Sequence, residues 1–131
     1  MDAGRELDAL VAEKVFGLQR VSGAAVPQKH YPVDSQFQEA WVDAEGQRVF
    51  CKHCGDMPAY STEIAAAWQV YLKAMEGLFS QRMRFYEGLE AIAEEKAGFP
   101  VAWPDVFTVL REDMPLAFCL AAVAAKGGLT P

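Results

Sequence analysis

The sequence predicts an α+β fold in which a small antiparallel sheet, a hairpin plus a late strand, is flanked by about four helices. Three observations predict it. Apolar residues recur at helical spacing near both ends and through the centre of the chain. Between residues 18 and 58 that period vanishes, and Gly23, Pro27, Pro32, Gly46, Gly55 and Pro58 punctuate short pieces. Val106-Phe107-Thr108-Val109-Leu110 is a β-branched and aromatic run of the kind that favours a strand. A length of 131 residues, 52% of them apolar, suits a single domain over 1–131 with its own core.

In the first helix, read over Asp2 to Phe16, Leu7, Leu10, Val11 and Val15 form an apolar stripe. Arg5, Glu6, Asp8, Glu13 and Lys14 fill the other face, with Asp2 as N-cap and Gly17 as the stop. Ala40–Asp43 and Gln47–Cys51 read as strands joined by Ala44-Glu45-Gly46, a β-hairpin with Gly available for positive φ. The stretch from Ser22 to Phe37 reads as a loop over the sheet. Ser61 caps a second helix over 62–76, whose stripe is Ile64, Trp68, Tyr71, Leu72 and Met75. Gly77 and Ser80 separate it from a third helix over 80–97, ended by Gly98 and Pro100. The late strand at 106–110 is expected to pair beside the hairpin, because a lone strand cannot satisfy its backbone groups. Asp113-Met114-Pro115 opens the last helix, with Leu116, Cys119, Leu120 and Val123 as its buried face and Gly127-Gly128 as its end.

Charge and composition narrow the function classes. The formal charge is −6, from 18 acidic and 12 basic residues, and a negative surface repels nucleic acid. The one basic and aromatic cluster, Arg82, Arg84, Phe85 and Tyr86, points several ways around a helix and offers no aligned stacking platform. No apolar stretch approaches the roughly 20 residues of a membrane span, and the first residues lack the pattern of a secretory signal. A soluble protein of the cytoplasm is therefore expected, without membrane or nucleic-acid partners. Three cysteines, an odd number, argue against a disulfide framework.

Three segments resemble a known family. Arg5 to Val15 with Gly17 resembles its opening helix, and Tyr60-Ser61-Thr62-Glu63-Ile64-Ala65-Ala66-Ala67-Trp68 its central signature. Val101-Ala102-Trp103-Pro104-Asp105 with Pro115 to Ala122 resembles its end. The family is the phage ABA-sandwich domain, found in phage and prophage genomes. The resemblance covers most of the chain and implies an α/β/α sandwich. It brings no reaction, ligand or catalytic residue.

The sharpest local motif is Cys51-Lys52-His53-Cys54. Two thiolates at the end of a strand resemble half a zinc knuckle, with His53 as a further donor, but a structural zinc needs four ligands. A second chain could supply the other half. Reduced cysteines in a turn are the default reading, no cofactor is required, and Cys119 reads as a buried thiol. Glu94 with Glu95, or Glu112 with Asp113, could pair as acid and base. That gives a small hydrolase of a phosphate-containing substrate as one alternative, and a zinc-stabilised interaction module on Cys51 and Cys54 as another. Charged residues at element ends are more often solvated surface. Trp68 reads as core, whereas Trp41 and Trp103 are candidates for an exposed aromatic surface. A nucleotide would need cationic anchors, for which Arg48, Lys52, Arg82 and Arg84 are the candidates. The leading expectation is a non-enzymatic phage accessory protein. It would act as a counter-defence binder that sequesters a host protein or a small nucleotide signal, and a homo-oligomer would suit that role.

Overall fold

The computed structural model describes residues 2–22, 39–45, 48–50 and 57–127, with 21, 22, 39, 40 and 48 described by backbone alone. The fold is α+β: among the described residues, helices accompany one three-stranded antiparallel sheet. Helix α1 (Arg5–Leu10) widens into a π-helical turn at Val11–Val15. Gly17, at φ 70°, then reverses the chain, and the Leu18 N–H donates back to the Ala12 carbonyl at 2.9 Å. This bond, reaching back six residues, satisfies a carbonyl that the helix end leaves open.

Strand β1 (Gln19–Ser22) follows at once and pairs with β2 (Glu39–Val42), which pairs with β3 (Arg48–Phe50). The β2–β3 hairpin is the one expected from the sequence, opened by Asp43, whose Oδ1 accepts from the Glu45 N–H at 3.0 Å. The register slips between Trp41 and Val42, a bulge that sharpens local twist. The third strand lies before the hairpin in the chain, not after it. Val106–Leu110, expected as the late strand, is helix α4. Val106 and Leu110 are both buried, four residues apart, while Thr108 is exposed. That spacing belongs to a helix, and tertiary burial overrides the β propensity of the run.

Helix α2 (Ile64–Met75) starts later than expected, with Glu63 rather than Ser61 at the N-cap. Helix α3 (Phe79–Ala97) ends at Gly98, at φ 82°. Two single turns, Trp103–Asp105 and Arg111–Asp113, flank α4, and α5 (Met114–Ala125) closes the described chain. Apolar on every side, α5 is the hub. It packs chiefly against α3 and α2, and also touches α1, the π-helical turn and α4. Its core positions are small where helices approach: a Cβ on Gly88 of α3 would lie 3.1 Å from the Ala121 Cβ. Phe118 and Cys119 are fully buried, whereas Leu116 and Leu120, expected in the core, are half-buried and line a groove instead.

The buried side of α2 is Ala66, Ala67 and Val70. This corrects the expected stripe, because Ile64, Trp68 and Leu72 are exposed. Among the described residues, no helix is long and apolar enough to cross a membrane.

Candidate functional site: an open aromatic cleft

Aromatic rings from α2, α3, α4 and the turn before α4 meet on one side of the hub helix. Phe118 and Phe85 form the buried floor, with Tyr71 packed on both at ring-centroid distances of 5.4 and 5.7 Å. Trp68 stands edge-on to Tyr71 at 5.2 Å and to Phe118 at 5.3 Å. On the far side Trp103 meets Tyr86 at 4.9 Å, edge to face. Phe107 bridges the two tryptophans, 6.4 Å from Trp68 and 6.1 Å from Trp103. These edge-to-face geometries are the favoured ones for aromatic quadrupoles. Between the rings lies a cleft of about 240 Å³ lined by Tyr71, Tyr86, Trp103, Pro104, Val106 and Phe107.

The lining carries no charge, and its polar groups are two phenols. Their oxygens lie 3.4 Å apart, and the Tyr86 hydroxyl donates to the Met75 sulfur at 2.9 Å. That direction leaves the Tyr71 hydroxyl to donate to Tyr86. Tyr71 is accordingly pushed up to about 12, first by this hydrogen bond and then by burial. The cleft is therefore uncharged at neutral pH, suited to an apolar or aromatic group rather than to a phosphate.

The sequence candidates fall in different places. Trp103 is at the cleft, 43% exposed. Trp41, expected on an exposed surface, is buried at 8%, with the Arg20 guanidinium 5.0 Å over its ring. Arg82 is half-buried, its guanidinium 5.8 Å from the Phe79 ring, and Arg84 is exposed. Neither lines the cleft. Arg48 lies in β3, described by backbone alone. Lys52, Cys51, His53 and Cys54 lie outside the described residues, and among those described no group of three His, Cys, Asp or Glu could hold a metal. Of the carboxylate pairs, Glu94 accepts from the Val101 N–H at 3.1 Å and Asp113 pairs with Lys96 at 2.8 Å.

Sequence reading missed Tyr71, Tyr86 and Phe107 as cleft residues. The signal was the four-residue spacing of Trp103 and Phe107, which shares a face only if 103–110 is helical. Comparisons with protein-family models, curated proteins and solved structures find no match.

A second polar cluster is structural. Asp8 and Ser61 are 1% and 2% exposed. The Asp8 Oδ1 accepts both from the Ser61 N–H at 2.8 Å and from its hydroxyl at 2.7 Å. The Gly4 N–H donates to the Ser61 oxygen at 2.9 Å, while Arg5 bridges the Asp8 Oδ2 and the Met57 carbonyl. The expected cap is thus a clasp between the start of α1 and the segment before α2. Serine beside a buried carboxylate resembles a nucleophile dyad, but the near-complete burial of both leaves no room for a substrate.

Proposed function

We propose that the protein is a non-enzymatic accessory binder of the phage ABA-sandwich kind, which captures a host protein by seating an apolar or aromatic side chain in the aromatic cleft. The open, uncharged, ring-walled cleft with Trp103 at its rim carries this reading. Tryptophan and tyrosine beside a preformed pocket are the usual anchors of protein interfaces, and their rigid rings lose little entropy on binding. A nucleotide signal is the weaker ligand, because the lining residues supply stacking faces but no cation for its phosphates. Action in the bacterial cytoplasm, as a counter-defence protein, belongs to the same proposal and is supported by the resemblance of its three segments.

Co-purification from bacterial lysate tests it, comparing the natural chain with Trp103→Ala. A stoichiometric host protein held by the natural chain should bind the variant about 30-fold more weakly, the roughly 2 kcal/mol of an interface anchor. The variant must keep its circular-dichroism spectrum and melting temperature. Equal recovery on both chains, or a nucleotide as the only stoichiometric passenger, sinks the reading.

A further inference from the structure

Hydrogen-bonding capacity in the aromatic cleft is one-sided. Its side chains carry the phenol protons of Tyr71 and Tyr86 and the indole proton of Trp103, and an indole N–H can only donate. The Tyr86 oxygen takes the Tyr71 proton across 3.4 Å, and the Tyr86 proton rests on the Met75 sulfur at 2.9 Å. A thioether sulfur is a weak acceptor, so a carbonyl oxygen entering the cleft takes over that proton with a gain in bond strength. No carboxylate, amide or imidazole side chain lines the cleft to receive a proton from an occupant. Among the lining side chains only the two phenol oxygens accept, and that of Tyr86 is already engaged. The complementary ligand is therefore rich in acceptors and poor in N–H groups.

Shape sets a second condition. The Trp103 and Tyr86 rings stand nearly perpendicular, at 85° with centroids 4.9 Å apart, and Phe107 lies 6.1 Å from Trp103 at 57°. Their angles make a notch for a compact, rigid apolar group. Its volume of about 240 Å³ is below the roughly 300–1,000 Å³ of sites that enclose a drug-sized molecule, so it suits one or two side chains of a longer segment.

Proline meets both conditions. Its nitrogen carries no hydrogen, its carbonyl accepts, and its ring is rigid and apolar. A polyproline II helix makes no internal backbone bonds, so its carbonyls are free to accept and its order precedes binding. Leucine or phenylalanine on an ordinary backbone fills the notch as well, but brings an N–H that the lining is poorly equipped to receive.

We propose that the captured segment is proline-rich and binds as a polyproline II helix. A proline ring sits in the angle between Trp103 and Tyr86, and a backbone carbonyl accepts the Tyr86 proton. Grooves walled by aromatic rings recognise such helices in general, because ring faces pack on proline while ring donors reach its carbonyls. The proposal rests on the reading of the cleft as the capture site for a host protein, and narrows that partner to one kind of segment.

Titration of the isotope-labelled full chain tests it, with the tryptophan indole N–H resonances as the readout. The probe is a capped oligoproline of about nine residues, three turns of the helix. A capped glycine–serine peptide of equal length with one central phenylalanine is the comparison. The oligoproline should bind more tightly than the phenylalanine peptide and shift the Trp103 resonance, identified by its absence in Trp103→Ala. Trp103→Ala should weaken oligoproline binding at least about 10-fold. Tyr86→Phe, which keeps the ring and removes only the oxygen, should weaken it about 5-fold, the worth of one hydrogen bond. Preference for the phenylalanine peptide overturns the inference and leaves the cleft as the capture site. Oligoproline binding that neither substitution changes overturns it as well. Binding of neither peptide also overturns it, and co-purification with Trp103→Ala then decides the broader reading by itself.

Discussion

Asp8 shows how one side chain joins two distant parts of the chain. Its carboxylate is almost fully buried and accepts two bonds from Ser61, while Arg5 stands at its outer oxygen. Asp8→Ala strands two buried donors and should cost about 3 kcal/mol, because an unmade buried bond costs more than a made one contributes. Ser61→Ala should cost about 1–2 kcal/mol, and Arg5→Ala under about 1 kcal/mol, since Arg5 is half in water. Urea denaturation of the three variants checks the order, and an Asp8→Ala loss no larger than that of Arg5→Ala would falsify the clasp. The same neighbourhood sets an alkaline limit. Cys119 is pushed up from 9.0 to about 12, chiefly by burial and then by the Asp8 charge. Tyr60 rises from 10.0 to about 12, first by burial, then by Asp8 and Cys119. Above pH 9 the unfolded chain sheds these protons while the folded chain keeps them, so the folded state binds more protons and stability falls as pH rises. The contribution is whole below pH 9 and is lost on the way to pH 12. Melting temperature against pH should therefore fall through that window, and Cys119→Ala should shallow the slope between pH 9 and 10. A slope identical to that of the natural chain would remove the thiol from the account.

At the scale of elements, close helix packing is set by what is missing from a side chain. Gly88 lets α3 approach α5 at Ala121, where an added Cβ would sit 3.1 Å away. In an open helix Gly→Ala gains about 1 kcal/mol. Here the gain should vanish against the contact, and Gly88→Val should lose more than about 2 kcal/mol by overpacking. Thermal melts decide it, and a Gly88→Ala variant that melts higher contradicts the close approach. The helices themselves were legible because their signals are local. The expected span 80–97 for the third helix differs from Phe79–Ala97 by one residue, and the stop at Gly98 is met by a left-handed φ. The hairpin was legible for the same reason, through two short strand-like runs joined by a Gly-containing turn; the bond from the Glu45 N–H to the Asp43 side chain was not foreseen. Val106–Leu110 was not, since four β-branched or aromatic residues and a leucine fit a strand or a buried helical turn equally, and neighbouring elements decide. Strand β1 was missed because its four residues are too short to show a period. The buried side of α2 was misread because helical spacing grouped Trp68 and Leu72 with Ile64 as a core stripe. Proximity to α5 instead demanded Ala66 and Ala67.

On the scale of the whole molecule, the distribution of large and small apolar residues separates two tasks. Small ones let α2, α3 and α5 pack closely, and the large ones displaced from that packing form the outer side of α2 and the rim of the aromatic cleft. The cleft was therefore only partly legible in the sequence. Trp103 could be named from its setting beside Pro104, but the rings that complete the cleft come from three helices whose mutual placement no local pattern encodes.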